Sequence, residues 1–375
     1  MFILVCPISG PKFCNQITAV LHLTEINFVP DITLCSSGGN IASYLLSCSN
    51  WDRNKLIKMC YTINSNLFIK KWCYSDTISL LIGFFRGTMY NKGLGCYDWL
   101  NDFFDEKTIE KDEIWTGTYN KKFKKACLFT NKSNSKIINE NKFYMGLNQC
   151  MKLEFASGNM ETISKAIMAS MSIPGYIPEQ IINGDPHIDG GVSCSSPLIF
   201  LSDSIMDYYH QHESNGEKIN IVYITPFDCY NTNEEKYINF LDNIKQTTNN
   251  YMRSNSILDK IIAYNMIKKG NNKIHESVFK CTLGNLERIK KIWGLVNRSM
   301  LEIYPIDDFS IDITNFSGED LVEIVEKSYG HLQCKFWYVE SSIDDKNIFQ
   351  IEVIDMIIQE CINYPEKSDF CDSCQ

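Results

Sequence analysis

The chain opens with Phe2-Ile-Leu-Val-Cys6, a continuous apolar run of strand length and the pattern of a central strand covered on both faces. Pro7 to Lys12 is turn chemistry. Ile17, Val20, Leu21 and Leu23 then recur near helical spacing until Pro30 and Asp31 end the periodicity. Ile32-Thr-Leu-Cys35 reads as a second strand, Ser36-Ser37-Gly38-Gly39-Asn40 as a tight turn, and Ile41, Ala42, Tyr44, Leu45 and Leu46 as a buried helix. Strand, helix, strand, turn and helix in immediate succession predict an α/β fold with a mainly parallel sheet.

From Trp51 to about Glu113 aromatic and apolar residues recur with weak periodicity, including Leu80-Leu-Ile-Gly-Phe-Phe85, Tyr97, Trp99, Leu100, Phe103 and Phe104, and predict a helical insertion. Ile114 to Tyr119 and Lys125 to Thr130 flank a polar tip and predict a hairpin. A helix is expected from Glu161 to Met171, ending before Pro174. Strands are expected at Ile181 to Asn183, His187-Ile188 and Ile219 to Ile224, and a long helical region at Lys236 to Lys269. Ile303 to Pro305 reads as a strand. Ser317 to Tyr329 reads as a helix that Ser317 opens with Glu319 and Asp320 in its first turn, ending before Gly330. With no internal repeat and no low-complexity linker, one domain is expected over 1–364, carrying the insertion at about 51–113, with a polar, frayed tail over 365–375.

Of the 375 residues, 44% are hydrophobic and 22% charged, enough to bury a sizeable core and unlike a disordered chain. A formal charge of -9 without a long basic stripe argues against a nucleic-acid partner. Phe2 to Ile8 is too short for a secretory signal, and Ile78 to Phe85 falls short of the roughly 18 residues of a membrane span. A soluble, unexported, cytoplasmic protein is therefore expected. Sixteen cysteines are dilute in a chain of this length and read as buried, reduced thiols; Cys371-Asp-Ser-Cys374 lacks a second pair at ligand spacing, so no metal is expected. Abundant Asn, Ile and Lys match AT-rich genomes, such as those of protists or giant viruses of amoebae, and a viral origin would place the protein in the host cytoplasm.

The chemistry centres on Cys35-Ser36-Ser37-Gly38-Gly39 between a strand and a helix. A nucleophile elbow places a serine on a strained strand-to-helix turn, with small residues two before and two after it. Gly39 meets the second requirement, and Cys35 stands where the first glycine is usual. The following helix aims its N-terminal amides at the serine and favours developing negative charge. Alone, the segment is equally compatible with a Ser/Gly turn capping a core helix. Two further segments bear on it. Ser9-Gly10-Pro11-Lys12 follows the first strand and would lie beside the elbow, and Ser172-Ile-Pro-Gly-Tyr-Ile-Pro178 leads to His187-Ile-Asp189-Gly190-Gly191, with a carboxylate at a strand end before two glycines.

In this order and at these spacings the three segments resemble the patatin-like phospholipases, which carry a glycine-rich oxyanion loop after the first strand, a GxSxG elbow after the second and an aspartate in a DG[GA] motif. Lys92-Gly-Leu-Gly95 with Trp99-Leu100, Ala166 to Pro178, and Pro305, Phe316 and Tyr329-Gly330 are similar to further family segments. The resemblance implies a three-layer α/β fold with a central, mainly parallel sheet flanked by helices. It also implies Ser37 as nucleophile, Asp189 as general base, and an oxyanion hole from Gly38 with Gly10 or Lys12, supported by the elbow glycine Gly39 and the motif glycines Gly190 and Gly191. Family loops read GGGx[KR]G; here Ile8, Ser9 and Phe13 replace glycines, and Pro11 has no N–H to donate.

The implied activity is calcium-independent, cofactor-free hydrolysis of phospholipid or lysophospholipid esters. The aromatic segment Leu67 to Phe104 would be core, the lining of an acyl pocket, or a transient contact with a membrane surface. An aspartate near its ordinary pKa of about 3.9 is a poor base for a hydroxyl, so the site must desolvate it or ease the serine's ionisation. Two other readings stand beside this one: a patatin-like lipid-binding or structural scaffold of weak or lost turnover, and an α/β-hydrolase esterase whose Ser-His-Asp triad takes His275 or His331, although an elbow after only the second strand speaks against the latter. His187 is read as a strand histidine packed beside the site, and Lys121, Lys122, Lys124 and Lys125 as a solvated hairpin tip.

Overall fold

The N-terminal apolar run forms β1 (Phe2–Cys6), and the helical spacing after it forms α1 (Phe13–Glu25). A computed structural model of the chain describes residues 1–72, 76–93, 95, 98, 99, 102, 112–132, 135, 137, 151–155, 160–227, 240–268, 273–307, 309–339 and 345–363. After α1 come β2 (Ile32–Ser36), α2 (Gly39–Cys48) and α3 (Arg53–Cys60), then β3 (Ile69–Lys70), α4 (Asp76–Arg86) and β4 (Asn91–Lys92). The middle of the chain forms β5 (Glu113–Asn120), β6 (Lys125–Thr130), β7 (Met151–Phe155), α5 (Met160–Ser170), β8 (Gln180–Ile182) and β9 (Asp185–Asp189). The last part forms α6 (Leu198–His212), β10 (Ile219–Ile224), α7 (Phe240–Ile267), β11 (Ile274–Lys280), α8 (Leu283–Trp293), β12 (Arg298–Pro305), α9 (Gly318–Ser328), β13 (Leu332–Val339) and α10 (Asp345–Asn363).

The main sheet runs β11-β13-β12-β10-β1-β2-β5-β6-β7, with β9 paired to β5 and β8 to β9. From β12 to β5 neighbouring strands are parallel, as short βα units require; β13, β11, β6 and β9 add antiparallel pairs around that centre. Alternate residues of one strand feed two cores. Leu4, Cys6, Cys35, Val222, Ile224, Leu301 and Ile303 pack with α1, α2, α5, α8, α9 and α10, whereas Ile3, Val5, Ile32, Leu34, Ile221 and Tyr223 pack with α6 and α7. These are the three layers expected, α/β/α around a mostly parallel sheet.

Several local expectations need correcting. The insertion is not wholly helical: beside α3 and α4 it holds the two-stranded pair β3–β4, strands too short to show any alternation. The last third carries the antiparallel strands β11 and β13, and β12 begins at Arg298 rather than Ile303. Tyr97, Leu100, Phe103 and Phe104, residues 236–239 and the tail with Cys371 and Cys374 lie outside the described residues. The ten cysteines among the described residues are buried thiols, and α9 opens on Ser317 as expected, through a capping box with Asp320. No helix among the described residues is long and apolar enough to cross a membrane.

The start of α2 is pressed onto the end of β1. A Cβ at Gly39 would stand 2.1 Å from the Cys6 carbonyl oxygen and 2.7 Å from that of Pro7. Because that obstacle is backbone, it cannot swing aside. Gly39→Ala is expected to lower the free energy of unfolding by about 1–3 kcal/mol, as overpacking does. Gly330→Ala, whose added methyl meets nothing within 4 Å, should change it by less than about 0.5 kcal/mol. Urea denaturation of the two variants beside the wild type measures the contrast.

Candidate active site

β2 ends at Ser36 and α2 begins at Gly39, so the chain must reverse within the Ser37-Gly38 step. It does so by placing Ser37 at φ 50°, a left-handed conformation costing a residue with a Cβ about 1–3 kcal/mol. Three partners hold it there. The Ser37 amide donates to Ser170 Oγ at 2.9 Å, while its carbonyl accepts from Asn40 Nδ2 at 2.9 Å and from the Asn40 amide at 3.1 Å. Ser170 Oγ also accepts from Asn40 Nδ2 at 3.0 Å and donates to the Gly117 carbonyl at 2.5 Å, so one hydroxyl on α5 ties the elbow to β5. Cys35, standing where an elbow glycine is usual, points its thiol at Asn40 Oδ1, 3.1 Å away.

Asp189 reaches the serine through β5. That strand runs parallel to β2 with Gly117 opposite Ser36, and antiparallel to β9 with Thr118 opposite Asp189. The carboxylate and the elbow therefore meet across the end of one strand, and Ser37 Oγ donates to Asp189 Oδ2 at 2.8 Å. Asp189 Oδ1 accepts the Gly191 amide at 2.7 Å, and the Asp189 amide donates to the Ser172 carbonyl at 3.0 Å. The paired glycines are a matter of room: a Cβ at Gly190 would stand 2.2 Å from the Gly117 carbonyl oxygen, and one at Gly191 2.1 Å from Ile8 Cδ1.

The site is buried, with Ser37 2% and Asp189 3% exposed. Desolvation pushes the Asp189 carboxyl up to about 7, against the opposing hydrogen bonds from Gly191 and Ser37. The required desolvation is thus present, and it gives the carboxylate the basicity suited to accepting a hydroxyl proton near neutrality.

On the loop after β1, Gly10 sits at φ 52°, and neither its amide nor that of Gly38 has an acceptor among the described residues. Lys12 is different. Its amide donates to the Ser9 carbonyl at 3.1 Å, which removes it as an oxyanion donor and leaves Gly10 and Gly38. The histidines are elsewhere or engaged. His187 is buried between Thr118 Oγ1 at 3.0 Å and Asn120 Nδ2 at 3.2 Å; Asn120 Oδ1 accepts the Lys122 and Phe123 amides, which turns Nδ2 to the ring and makes Nε2 an acceptor. His275 stacks on Tyr338 at the β11 edge of the sheet, and exposed His331 pairs with Asp307, so neither supplies a triad. Lys121 and Lys122 pair with Glu179 and Asp185 at the hairpin tip. Beside α2, Asn40, Ile41, Tyr44, Ile63, Leu67, Phe68, Trp99 and Ile167 line an apolar cavity of about 20 Å³. Among the described residues no group of three or more His, Cys, Asp or Glu side chains could hold a metal ion.

The family model for patatin-like phospholipases matches residues 10–201, just over half of the chain, starting at Gly10 and taking in both Ser37 and Asp189. The chain belongs to the patatin-like phospholipase family. Membership points to lipid acyl hydrolysis and a lipid substrate. The match to the patatin-like phospholipase model ends before Pro305, Phe316 and Tyr329-Gly330. No curated protein matches the chain. Two residues of this patatin-like site, Asn40 and Ser170, escaped the sequence reading of roles. Their only trace there is Asn40 directly after the elbow glycines and Ser170 in the alanine- and serine-rich helix.

Burial of Asp189 has a consequence for stability. Below about 3.8 the carboxyl is protonated in both states; between there and about 7 the folded protein keeps a proton that the unfolded chain has released. Stability therefore falls as pH rises through that window and levels off above it. Asp259, also raised to about 7 by burial, adds the same slope to wild type and variant and cancels in their difference. Thermal unfolding of Asp189→Asn against the wild type should show a difference that grows in the variant's favour from about pH 4 to about pH 8. A pH-independent difference would mean that Asp189 ionises as it does in water.

Proposed function

We propose that this protein is a calcium-independent serine acyl hydrolase of phospholipids or lysophospholipids that works through a Ser37–Asp189 dyad. The observation that carries the reading is the 2.8 Å hydrogen bond from a left-handed serine at the head of a helix to a buried carboxylate. Ser37 Oγ attacks the ester carbonyl while Asp189 takes its proton, and the tetrahedral oxyanion faces the unengaged amides of Gly10 and Gly38 at the start of α2. Collapse expels the alcohol, which receives the proton from Asp189 and leaves an acyl-serine. Water then attacks the acyl group, Asp189 accepts its proton, and the second collapse releases the fatty acid and returns the proton to Ser37. Base and charge-stabilising donors are all protein groups, the basis for proposing that calcium is not needed.

In the presence of EDTA, a fluorophosphonate probe is expected to label the wild type and not Ser37→Ala. Asp189→Asn should lower ester hydrolysis by about 10²- to 10⁴-fold with its circular dichroism unchanged, because a carboxamide keeps the shape and cannot accept the proton. Replacement of His275 or His331 should leave activity intact. An unlabelled wild type would favour the scaffold reading, to which the loss of the Pro11 donor already lends weight.

A transient contact with a lipid surface belongs to the same proposal. On α4, Ile78, Leu81 and Phe85 share one face and are 53%, 58% and 79% exposed. Beyond the helix, the Met89 and Tyr90 amides donate to the Gly175 and Tyr176 carbonyls, in the loop whose Ser172 holds the Asp189 amide. Arg86, 4.9 Å over the Trp72 ring, flanks the face with positive charge. An apolar face with a basic flank, one loop from the carboxylate, suits the boundary of an anionic lipid surface. Ile78→Asp with Leu81→Asp should lower activity on anionic vesicles by about tenfold or more, each lost insertion being worth roughly 1.5–3 kcal/mol. Activity on a monomeric short-chain ester should be unchanged, and equal losses on both substrates would refute the contact.

A further inference from the structure

The loop after β1 holds a polar group for which the dyad alone gives no use. Ser9 is 0% exposed, and its hydroxyl has no hydrogen-bond partner among the described residues. Buried hydroxyls are nearly always paired, so an orphan inside a site calls for a physical reason. Its surroundings supply one. A Cβ at Gly38 would stand 2.3 Å from Ser9 Oγ, which puts the hydroxyl against the Gly38 backbone, whose amide likewise has no acceptor among the described residues. Next in sequence comes Gly10, whose amide is in the same condition. The other unpartnered hydroxyl of the elbow, Ser36 Oγ, lies instead beneath Gly190, 2.4 Å from where a Cβ on that residue would be.

Ser9 is also held in place. The Ile8 amide donates to the Ser195 carbonyl at 2.8 Å and the Ser9 carbonyl accepts the Lys12 amide at 3.1 Å, so the backbone is anchored on either side of the Ser9 side chain. The same stretch has lost donors: Pro11 has no N–H, and the Lys12 amide is already in use. We propose that the Ser9 hydroxyl is an oxyanion-hole donor that acts with the Gly10 and Gly38 amides and takes the place of the backbone donor this loop lacks. It stands where family loops carry a glycine, so the donor has passed from main chain to side chain. A hydroxyl fixed beside the reacting carbonyl and unpaired at rest bonds the oxyanion when charge develops there and needs no reorganisation to do so.

The inference rests on the Ser37–Asp189 reading, and its test separates the two. Ser9→Ala removes one atom. It should lower kcat on a short-chain ester by about 10²-fold or more, the usual loss for one such donor, with KM changed by less than about twofold. The affinity of a trifluoromethyl ketone, which forms a hemiketal oxyanion on the serine, should fall in proportion to kcat. The thermal midpoint should stay the same or rise, since the orphan hydroxyl is gone; a merely structural role predicts a lower midpoint with kcat intact. Labelling of the wild type by a fluorophosphonate together with an undiminished kcat in Ser9→Ala would overturn the Ser9 assignment alone. A wild type that is not labelled would overturn the dyad reading and the Ser9 assignment with it.

Discussion

The left-handed backbone of Ser37 is the constraint around which the site is assembled. A residue with a Cβ stays at φ 50° only where its surroundings fix it, and here the fixing groups are one local and two distant in the chain: Asn40 on α2, Ser170 on α5 and, through Ser170, the Gly117 carbonyl on β5. The same β5 sets Asp189 by its register with β9. Strain at the serine and placement of the carboxylate therefore share one strand. A shift of β5 would disturb both together.

The second organising fact is dehydration. Ser37 and Asp189 are almost wholly excluded from solvent, and Gly38, Gly39, Gly190 and Gly191 around them are sites where main chain and side chains crowd too closely for a Cβ. Close approach removes water, which raises the basicity of the carboxylate and strengthens every dipole aimed at the serine. A dyad lacks the imidazole of a triad. The proposed Ser37–Asp189 dyad would depend on this packing for the proton affinity that a histidine has by nature.

How much of this was legible in the sequence follows from range. β1, β2 and the elbow are local patterns, apolar runs punctuated by glycine, and they formed as read. So did the hairpin of β5 and β6, whose polar tip is unambiguous. The DGG segment was legible because backbone crowding leaves glycine little competition. The short β3–β4 pair was hidden because two-residue strands have no period, and β11 because its pairing with β13 rather than its own alternation defines it. Ser170 and Asn40 were invisible for a different reason: a serine in a helix and an asparagine after glycines acquire meaning only once α5 and α2 converge on the elbow. The engaged Lys12 amide was equally unreadable, since it depends on the turn that Pro11 imposes. The depth of burial at Asp189 is a sum over the whole fold, which no single segment carries.

One substitution within the elbow has a bearing on chemoselectivity. Cys35 lies two residues before Ser37, and a thiol is intrinsically the stronger nucleophile once ionised. Burial holds the Cys35 thiol, and that of Cys6 beside it on β1, up to about 12, and the Cys35 side chain faces the helical layer where it meets Asn40 and the Trp115 carbonyl. Near neutral pH its thiolate fraction is therefore on the order of one in 10⁵. A sulfur can therefore stand two residues from the proposed nucleophile without competing with it: the thiol stays protonated and turned into the core, and the proposed chemistry is left to oxygen.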